Sequence, residues 1–127
     1  MASFHAETTV DLAPEELWAR VADAGKVSEL LGAVAESSLD GDIRRVTMTD
    51  GRELTERIIS VDHDNRRVAY TVLDGIPVDF HAASMQVLDA GGGRATLRWI
   101  TNVVPDEAVE GLGSLFQAEM DGLAARL

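Results

Sequence analysis

The sequence contains no cysteine among its 127 residues. This absence excludes disulfide bonds, thiolate nucleophiles, cysteine-ligated zinc and iron–sulfur clusters. Long hydrophobic runs are also missing, because no apolar stretch approaches the roughly 20 residues of a membrane-spanning helix. Residues 1–6 lack the charged and apolar regions of a secretory signal peptide. We therefore expect a cytoplasmic protein without a membrane span, and its length fits a single domain over residues 1–127.

Positive charge is scarce as well. Acidic residues number 22 against 11 basic residues, which gives a formal net charge of −11. A chain this acidic repels phosphate backbones and anionic lipid, so nucleic acid and membrane surfaces are poor partners. Lys26 is the only lysine, which leaves little scope for Schiff-base chemistry. His5, His63 and His81 lack the spacing of a metal site, so we expect neither a metal nor a cofactor.

The N-terminal pattern changes from period two to helical spacing. Residues Ser3–Leu12 alternate between apolar and polar side chains, which predicts a half-buried strand. Pro14 and the two acidic residues after it suit the first turn of a helix, where a proline is tolerated and acids complement the helix dipole. The sequence predicts a short helix over Pro14–Ala22 and one or two further turns over Lys26–Leu31.

Turn dipeptides divide the middle of the chain into alternating segments. Asp-Gly occurs at residues 40–41, 50–51 and 74–75, and residues 64–65 and 91–93 supply two more turns. Asp-Gly is a strong hairpin signal because both central residues of a type I′ turn need a positive φ. Together with the first strand, the segments predict a seven-stranded meander whose remaining strands are Val34–Leu39, Asp42–Thr49, Arg52–Asp62, Arg67–Leu73, Val78–Leu88 and Arg94–Val103.

Apolar residues after Pro105 recur at intervals of three and four. This spacing predicts one long amphipathic helix of roughly 20 residues, about 30 Å in length. A sheet of this size twists and curls, and the C-terminal helix is the candidate to cover its concave side. The α+β arrangement leaves a cavity between sheet and helix, which is a natural site for a ligand.

Several short motifs resemble the START/Bet v 1-like (SRPBCC) superfamily. In residues 10–18, VDLAPEELW, a strand runs through Ala-Pro into a helix with an aliphatic–Trp pair, as at the opening of that superfamily. Its bacterial polyketide cyclase/dehydrase-like branch is similar at Gly41–Arg45, Asp50-Gly51, Glu56-Arg57, Tyr70, Pro77 and Trp99.

The resemblance covers essentially the whole chain. It implies the helix-grip fold, in which a seven-stranded curved antiparallel sheet wraps around a long C-terminal helix, with two short helices after the first strand. It also implies an internal cavity for hydrophobic small molecules. It does not imply one activity, because members are described as polyketide aromatase/cyclases, lipid and hormone binders, coenzyme Q-binding proteins and Hsp90-ATPase activators.

The hairpin turns predict which charged residues face one another. A two-residue Asp50-Gly51 turn places Arg45 opposite Glu56, and a two-residue Asp40-Gly41 turn places Glu36 opposite Arg45. If the other face of these strands pointed inward, Arg44 would lie opposite Arg57 in the core. We therefore expect the row Glu36–Arg45–Glu56 to face the concave side, unless a β-bulge changes the register.

An arginine buried between two carboxylates has enough donors to satisfy both acids and also bind a ligand oxygen. An underpaired glutamate beside it would have a raised pKa and could act as a general base. The same row can equally be an ion-pair ladder that only fixes strand pairing.

Tyr70 and His81 are candidate proton donors whose direction the pattern leaves open. Tyr70 faces away from the charged row if residues 64–65 form a two-residue turn, and toward it if one bulge residue is added; the resemblance favours the inward direction. Neither face of the Val78–Leu88 strand is clearly apolar, so His81 can point either way. The predicted ligand-binding residues, each of which could instead be plain core, are Leu31, Leu54, Ile58, Tyr70, His81, Met85, Trp99, Leu112, Phe116 and Met120.

The leading functional prediction is a monomer or homodimer that binds a polyketide-like, aromatic or lipid molecule in its cavity. The alternative is a cofactor-free cyclase, dehydratase or hydrolase. In that alternative Glu56 or Glu36 is the base, Arg45 stabilises an oxyanion, and Tyr70 or His81 donates a proton. A third possibility is an interaction module that resembles Hsp90 co-activators.

Overall fold

The structure is a computed structural model that describes residues 2–109 and 112–127, with side chains for residues 2–107 and 115–127. Within these residues the strands are β1 Ala2–Val10, β2 Val34–Asp40, β3 Ile43–Met48, β4 Glu53–Asp62, β5 Arg67–Asp74, β6 Phe80–Gly91 and β7 Arg94–Val104. The α-helices are α1 Pro14–Ala22, α2 Val27–Leu30 and α3 Leu112–Asp121. Short 3₁₀ segments cover Ala24–Lys26, Asp106–Val109 and Leu123–Arg126.

All seven strands form one antiparallel sheet in the order β1-β7-β6-β5-β4-β3-β2. The sheet is therefore the predicted meander, except that β1 joins its far edge by pairing with β7. The predicted seven-stranded curved antiparallel sheet is confirmed. The helix over Pro14–Ala22 also has the predicted bounds, with Pro14 in its first turn and Leu17 and Val21 buried.

The C-terminal helix is shorter than the sequence predicted. α3 covers 10 residues, Leu112–Asp121, which span about 15 Å at 1.5 Å per residue. Gly122 follows it, and glycine weakens a helix by about 0.5–1 kcal/mol relative to alanine. The chain then continues as the 3₁₀ segment Leu123–Arg126. The prediction of one long helix was wrong, although α3 still packs against β1.

The β2–β3 loop is displaced by one residue from the predicted turn. Gly41 and Asp42 are the two loop residues, because Asp40 pairs with Ile43. Gly41 has a φ of +60° while Asp42 keeps a negative φ, as in a type II′ turn with glycine at its first central position.

The β3–β4 loop has three residues, 49–51, instead of the predicted two. Gly51 has a φ of +91°, which suits the glycine position of a three-residue hairpin loop. The extra loop residue shifts the register, so Arg44 pairs with Glu56 while Arg45 pairs with Thr55. Because strand side chains alternate, this shift turns Arg44 inward and Arg45 outward.

A β-bulge between β4 and β5 turns Tyr70 to the inside of the sheet. Ile58 pairs with Tyr70 and Ser60 with Ala69, so Ile59 is the unpaired extra residue. Ile59 is exposed, whereas Tyr70 is buried.

The apolar core lies between the inner face of the sheet and the helices. Its largest fully buried side chains include Leu17 of α1, Leu97 of β7, Met120 of α3 and Leu123. No helix in the described ranges is both long enough and apolar enough to span a membrane.

Candidate functional site

A cavity of about 120 Å³ lies between the inner face of the sheet and α3. Strands β2 to β7, α2 and α3 all contribute to its wall. Most of the wall is aliphatic, and includes Val27, Leu31, Val34, Met48, Leu54 and Ile76. Arg52 and Leu115 also border the cavity and are exposed to solvent, so the cavity reaches the surface beside the β3–β4 loop and α3.

Four polar residues meet at one end of this cavity, and we call Arg44, Glu56, Tyr70 and His81 its polar end. Arg44 and Glu56 form a buried ion pair with Nε donating to Oε1 at 2.7 Å. Arg44 Nη1 also donates to the carbonyl oxygen of Ala24 at 3.1 Å. Burial raises the pKa of the Glu56 carboxyl, although the Arg44 charge and hydrogen bond oppose that shift. The site thus holds a carboxylate that is bound on one oxygen only within the described residues.

Tyr70 packs directly against the ion pair. Its ring lies under the Arg44 guanidinium, with Cζ 4.8 Å from the ring centroid, which is a cation–π contact. Its hydroxyl oxygen accepts the indole N–H of Trp99 at 2.9 Å. Burial, and next the Glu56 charge, raises the pKa of Tyr70, so the phenol keeps its proton at neutral pH.

His81 is the fourth member of the polar end, and its ring centroid lies 5.9 Å from that of Tyr70. Its Nδ1 accepts the backbone N–H of Val72 at 3.0 Å. Burial lowers the pKa of His81 to about 4, so the imidazole is neutral near pH 7. Because Nδ1 is an acceptor, the proton of the neutral ring resides on Nε2.

Aromatic rings run from the polar end toward α3, and two of them, Trp99 and Phe116, line the cavity. The Trp99 and Phe116 ring centroids are 4.2 Å apart, and Phe4 follows at 5.5 Å from Phe116. Both separations allow direct ring contact. Trp99 thus links the Tyr70 hydroxyl to the helix that covers the sheet.

Several predicted site residues lie elsewhere. Arg45 and Glu36 are exposed on the outer face of the sheet, so the predicted row Glu36–Arg45–Glu56 is wrong. The physical reason is the pair of loop geometries described above, which pair Glu36 with Thr47 instead.

Three predicted ligand-binding residues belong to the packed core and not to the cavity wall that the described residues form. Met85 and Met120 are buried within the core, and Ile58 packs against it. The side chain of Leu112 lies outside the described residues. The remaining predicted residues border the cavity: Leu31, Leu54, Glu56, Tyr70, His81, Trp99 and Phe116.

Arg44 is the site residue that sequence reasoning missed. The signal was present in the residues before Asp50-Gly51, because a three-residue loop ending in glycine is the next commonest hairpin connection after the two-residue types. With that loop, Arg44 faces Glu56 and Met48 faces the cavity.

A metal site requires several ligating side chains grouped together. In the parts of the chain that the structure describes, no three His, Asp or Glu side chains are grouped to hold a metal ion.

Comparison with protein families gives one match over the full length. The family model described as polyketide cyclase/dehydrase and lipid transport matches residues 1–127. A search of the curated proteins finds no match.

Solved structures share the fold at low sequence identity. The protein XoxI from Bacillus cereus is 19% identical, with 98% of this chain and 94% of that chain covered and a TM-score of 0.90. The di-domain ARO/CYC BexL from the BE-7585A biosynthetic pathway is 16% identical, with 99% of this chain and 46% of that chain covered and a TM-score of 0.85. Norcoclaurine synthase from Thalictrum flavum, in complex with dopamine and hydroxybenzaldehyde, is 21% identical, with 98% of this chain and 84% of that chain covered and a TM-score of 0.72. At these identities the likeness concerns the fold alone.

Proposed function

Because the chain belongs to the polyketide cyclase/dehydrase and lipid transport family of the SRPBCC, or Bet v 1-like, superfamily, we propose that it binds a hydrophobic small molecule between its sheet and α3. The observation that carries the proposal is the cavity itself, an aliphatic and aromatic pocket with one buried ion pair at its polar end. Mostly apolar pockets with a few convergent polar groups are the usual form of small-molecule sites.

The energetic argument concerns the polar end. A buried Arg–Glu pair is often no more stabilising than apolar residues of similar volume, because both ions lose their hydration. Arg44 and Glu56 therefore need not be there for stability, and both border the cavity. A role in ligand binding accounts for their presence beside a mostly apolar wall.

Trp99 provides an optical test because its indole lines the cavity, whereas Trp18 lies in α1 and bonds to His63 at 3.1 Å. A Trp18→Phe variant would report fluorescence from Trp99 alone. We expect small aromatic compounds to change that emission saturably, and native mass spectrometry to detect any ligand that copurifies. Absence of saturable change across aromatic and lipid panels, with no copurified ligand, would overturn the proposal.

An enzymatic function is the second candidate, and one observation favours it. Glu56 has a raised pKa and faces the cavity. It bonds to the Arg44 guanidinium, which in turn lies over the ring of Tyr70. That set can remove a proton with Glu56 and stabilise developing negative charge on oxygen with Arg44 and Tyr70. Arg44 takes the role that the sequence assigned to Arg45, and Glu36 has none. The BexL ARO/CYC and norcoclaurine synthase have the same fold.

Glu56→Gln separates binding from turnover, because the amide oxygen can still accept the Arg44 N–H but is a poor base. The compound found by native mass spectrometry would be incubated with both proteins and its conversion followed by mass. The enzymatic function predicts conversion by the natural chain and binding without conversion by the variant. Equal conversion by both proteins, or by neither, would reject it and leave the binding proposal standing.

A further inference from the structure

Within the described part of the chain, only some of the hydrogen-bond donors at the polar end have a partner. The Arg44 guanidinium has five N–H groups, of which one binds Glu56 and one binds the Ala24 carbonyl, and the other three have no partner among the residues that the structure describes. The described residues contain no buried side-chain nitrogen or oxygen that lacks a partner. Nη2, which has no protein partner among those residues, is therefore open to the cavity that Arg44 lines.

Two further donors lie beside Arg44. The Tyr70 hydroxyl oxygen accepts the Trp99 N–H, which leaves its own O–H proton for another acceptor. The His81 Nδ1 is occupied by Val72, which leaves the Nε2–H. Both residues border the cavity.

Acceptors are fewer. Glu56 contributes one carboxylate oxygen that binds no protein donor among the described residues, and the Thr101 hydroxyl can act in either sense. A ligand oxygen that only accepts hydrogen bonds therefore matches this end of the cavity better than a group that donates them. Arg44 and Glu56 already neutralise each other, so a carboxylate or an ammonium would be buried without a counter-ion of its own, whereas a carbonyl oxygen carries no full charge.

Volume sets the second criterion. The cavity measures about 120 Å³, and an apolar cavity of about 150 Å³ is known to hold one benzene molecule. Trp99 and Phe116 both line the cavity, so a single planar ring in it can contact aromatic side chains. A single ring fills this space, whereas a fused polycyclic molecule would have to extend out of the mouth beside Arg52 and Leu115.

We propose that the cavity selects a neutral aldehyde or ketone borne on a single ring, with the carbonyl oxygen accepting hydrogen bonds from Arg44 and Tyr70. The inference rests on the proposed binding function and names the chemical class of its ligand. It concerns recognition and needs no reaction step.

Acetophenone and α-methylstyrene form a matched pair of probes, because they differ only in a C=O against a C=CH₂ group. The quantity to measure is the ratio of their dissociation constants, α-methylstyrene over acetophenone, by calorimetry. Three proteins are compared: the natural chain, an Arg44→Met/Glu56→Leu double variant, and an Arg45→Met control that makes the same change on the outer face. Comparison of this ratio between proteins cancels the different transfer of the two probes from water.

We expect the ratio to fall by about tenfold or more in the double variant, since a hydrogen bond to a charged group is lost, and to stay unchanged in the control. The infrared C=O stretch of bound acetophenone should lie at lower wavenumber in the natural chain than in the double variant. The three-ring ketone 9-acetylanthracene should fail to displace acetophenone.

The outcomes separate the two proposals. An equal ratio in all three proteins overturns the carbonyl criterion. Displacement of acetophenone by 9-acetylanthracene overturns the single-ring criterion. Either result leaves the binding function intact. If neither probe binds the natural chain while a lipid or larger aromatic does, the ligand class is wrong but the binding function holds. If no compound binds, both fail.

Discussion

The imidazole of His81 replaces a backbone acceptor where β5 and β6 separate, because its Nδ1 accepts the N–H of Val72 at 3.0 Å. Regular pairing of these strands ends at Tyr70 opposite Ala83, although both strands continue. The His81 carbonyl accepts the Thr71 hydroxyl in the same place. Side-chain hydrogen bonds therefore join the two strands beside the cavity, and one of them depends on a neutral histidine.

Acidification should weaken this connection. The pKa of His81 is about 4 in the fold against the ordinary value of 6.5, so between these values the unfolded chain binds more protons than the folded one. Folding stability from this group is full above pH 6.5 and falls as the pH drops toward 4, by at most about 1.4 kcal/mol per pH unit. Urea unfolding from pH 7.5 to 4 measures the free energy of unfolding across this window.

His81→Asn isolates the effect, because an amide oxygen can accept the Val72 N–H without titrating. The contributions of the carboxylates to the pH dependence, including that of Glu56 with its raised pKa, cancel in the difference between the two proteins. We expect the natural chain to lose stability relative to the variant as the pH falls. A difference that stays constant from pH 7.5 to 4 would show that His81 does not titrate in this way.

The ion pair at the polar end should be costly to break and cheap to replace. Arg44→Met leaves the buried Glu56 carboxylate without its partner, and such losses cost about 3–5 kcal/mol. The Arg44→Met/Glu56→Leu double variant removes both charges and is expected to be near neutral for stability. Arg45→Met, at the neighbouring exposed position, should change the free energy of unfolding by less than about 0.5 kcal/mol. A similar loss for Arg44→Met and Arg45→Met in urea unfolding would contradict the inward placement of Arg44.

This contrast also marks how far the sequence could predict the site. Hydrophobic alternation and turn dipeptides were enough for the seven strands, because those signals act locally along the chain. Which arginine faces inward depends on the loop length, and an Asp-Gly dipeptide such as Asp50-Gly51 is compatible with both two-residue and three-residue loops. A change of one residue moves every side chain of a strand to the other face. Sequence therefore predicted an Arg–Glu pair in the cavity but chose Arg45 in place of Arg44.

Two other features have similar causes: the direction of Tyr70, which the pattern left open, and the length of the C-terminal helix, which it predicted wrongly. The alternating pattern of one strand does not show the bulge at Ile59, because a bulge depends on how that strand pairs with its neighbour. The bulge nevertheless decides that Tyr70 faces inward. The apolar spacing of residues 108–127 matched a long helix, but that spacing does not register the break at Gly122. Met120 fits the same spacing and is a core residue. Periodicity separates buried from exposed residues, but it does not separate residues that line a cavity from residues packed in the core.

Gly75, which precedes the cavity-lining Ile76, should be costly to replace by a residue with a side chain. Gly75 has a φ of +110°, and a Cβ there would lie 2.3 Å from the Glu53 carbonyl oxygen. Gly92 also has a positive φ, of +62°, but has open space around it. Gly92→Ala should therefore cost about 1–2 kcal/mol for the left-handed backbone alone. Gly75→Ala should cost about 1–3 kcal/mol more because of the clash. Equal shifts of the two urea midpoints would mean that the β5–β6 loop moves away without cost.

Glu119 should hold α3 in place over the cavity. Its carboxylate is buried and accepts two backbone N–H groups from the segment between α2 and β2, Gly32 at 2.9 Å and Ala33 at 2.8 Å. Phe116, one helical turn earlier on α3, lines the cavity. Glu119→Gln replaces one acceptor oxygen by an N–H₂ donor that would face a backbone donor, and an unsatisfied buried group costs about 1–3 kcal/mol.

The measurement that distinguishes this anchor from general stabilisation is amide hydrogen exchange at Gly32 and Ala33. In Glu119→Gln we expect their exchange to accelerate more than that of the β6–β7 ladder, because the variant weakens the contact of α3 with the α2–β2 segment and the Glu119–Arg126 ion pair, both remote from that ladder. Glu36→Gln makes the same chemical change at an exposed position and should leave both rates unaltered. Since Phe116 moves with α3, the variant should also release acetophenone faster. If exchange rises uniformly along the chain, Glu119 contributes to global stability only and does not act as a local anchor of the helix.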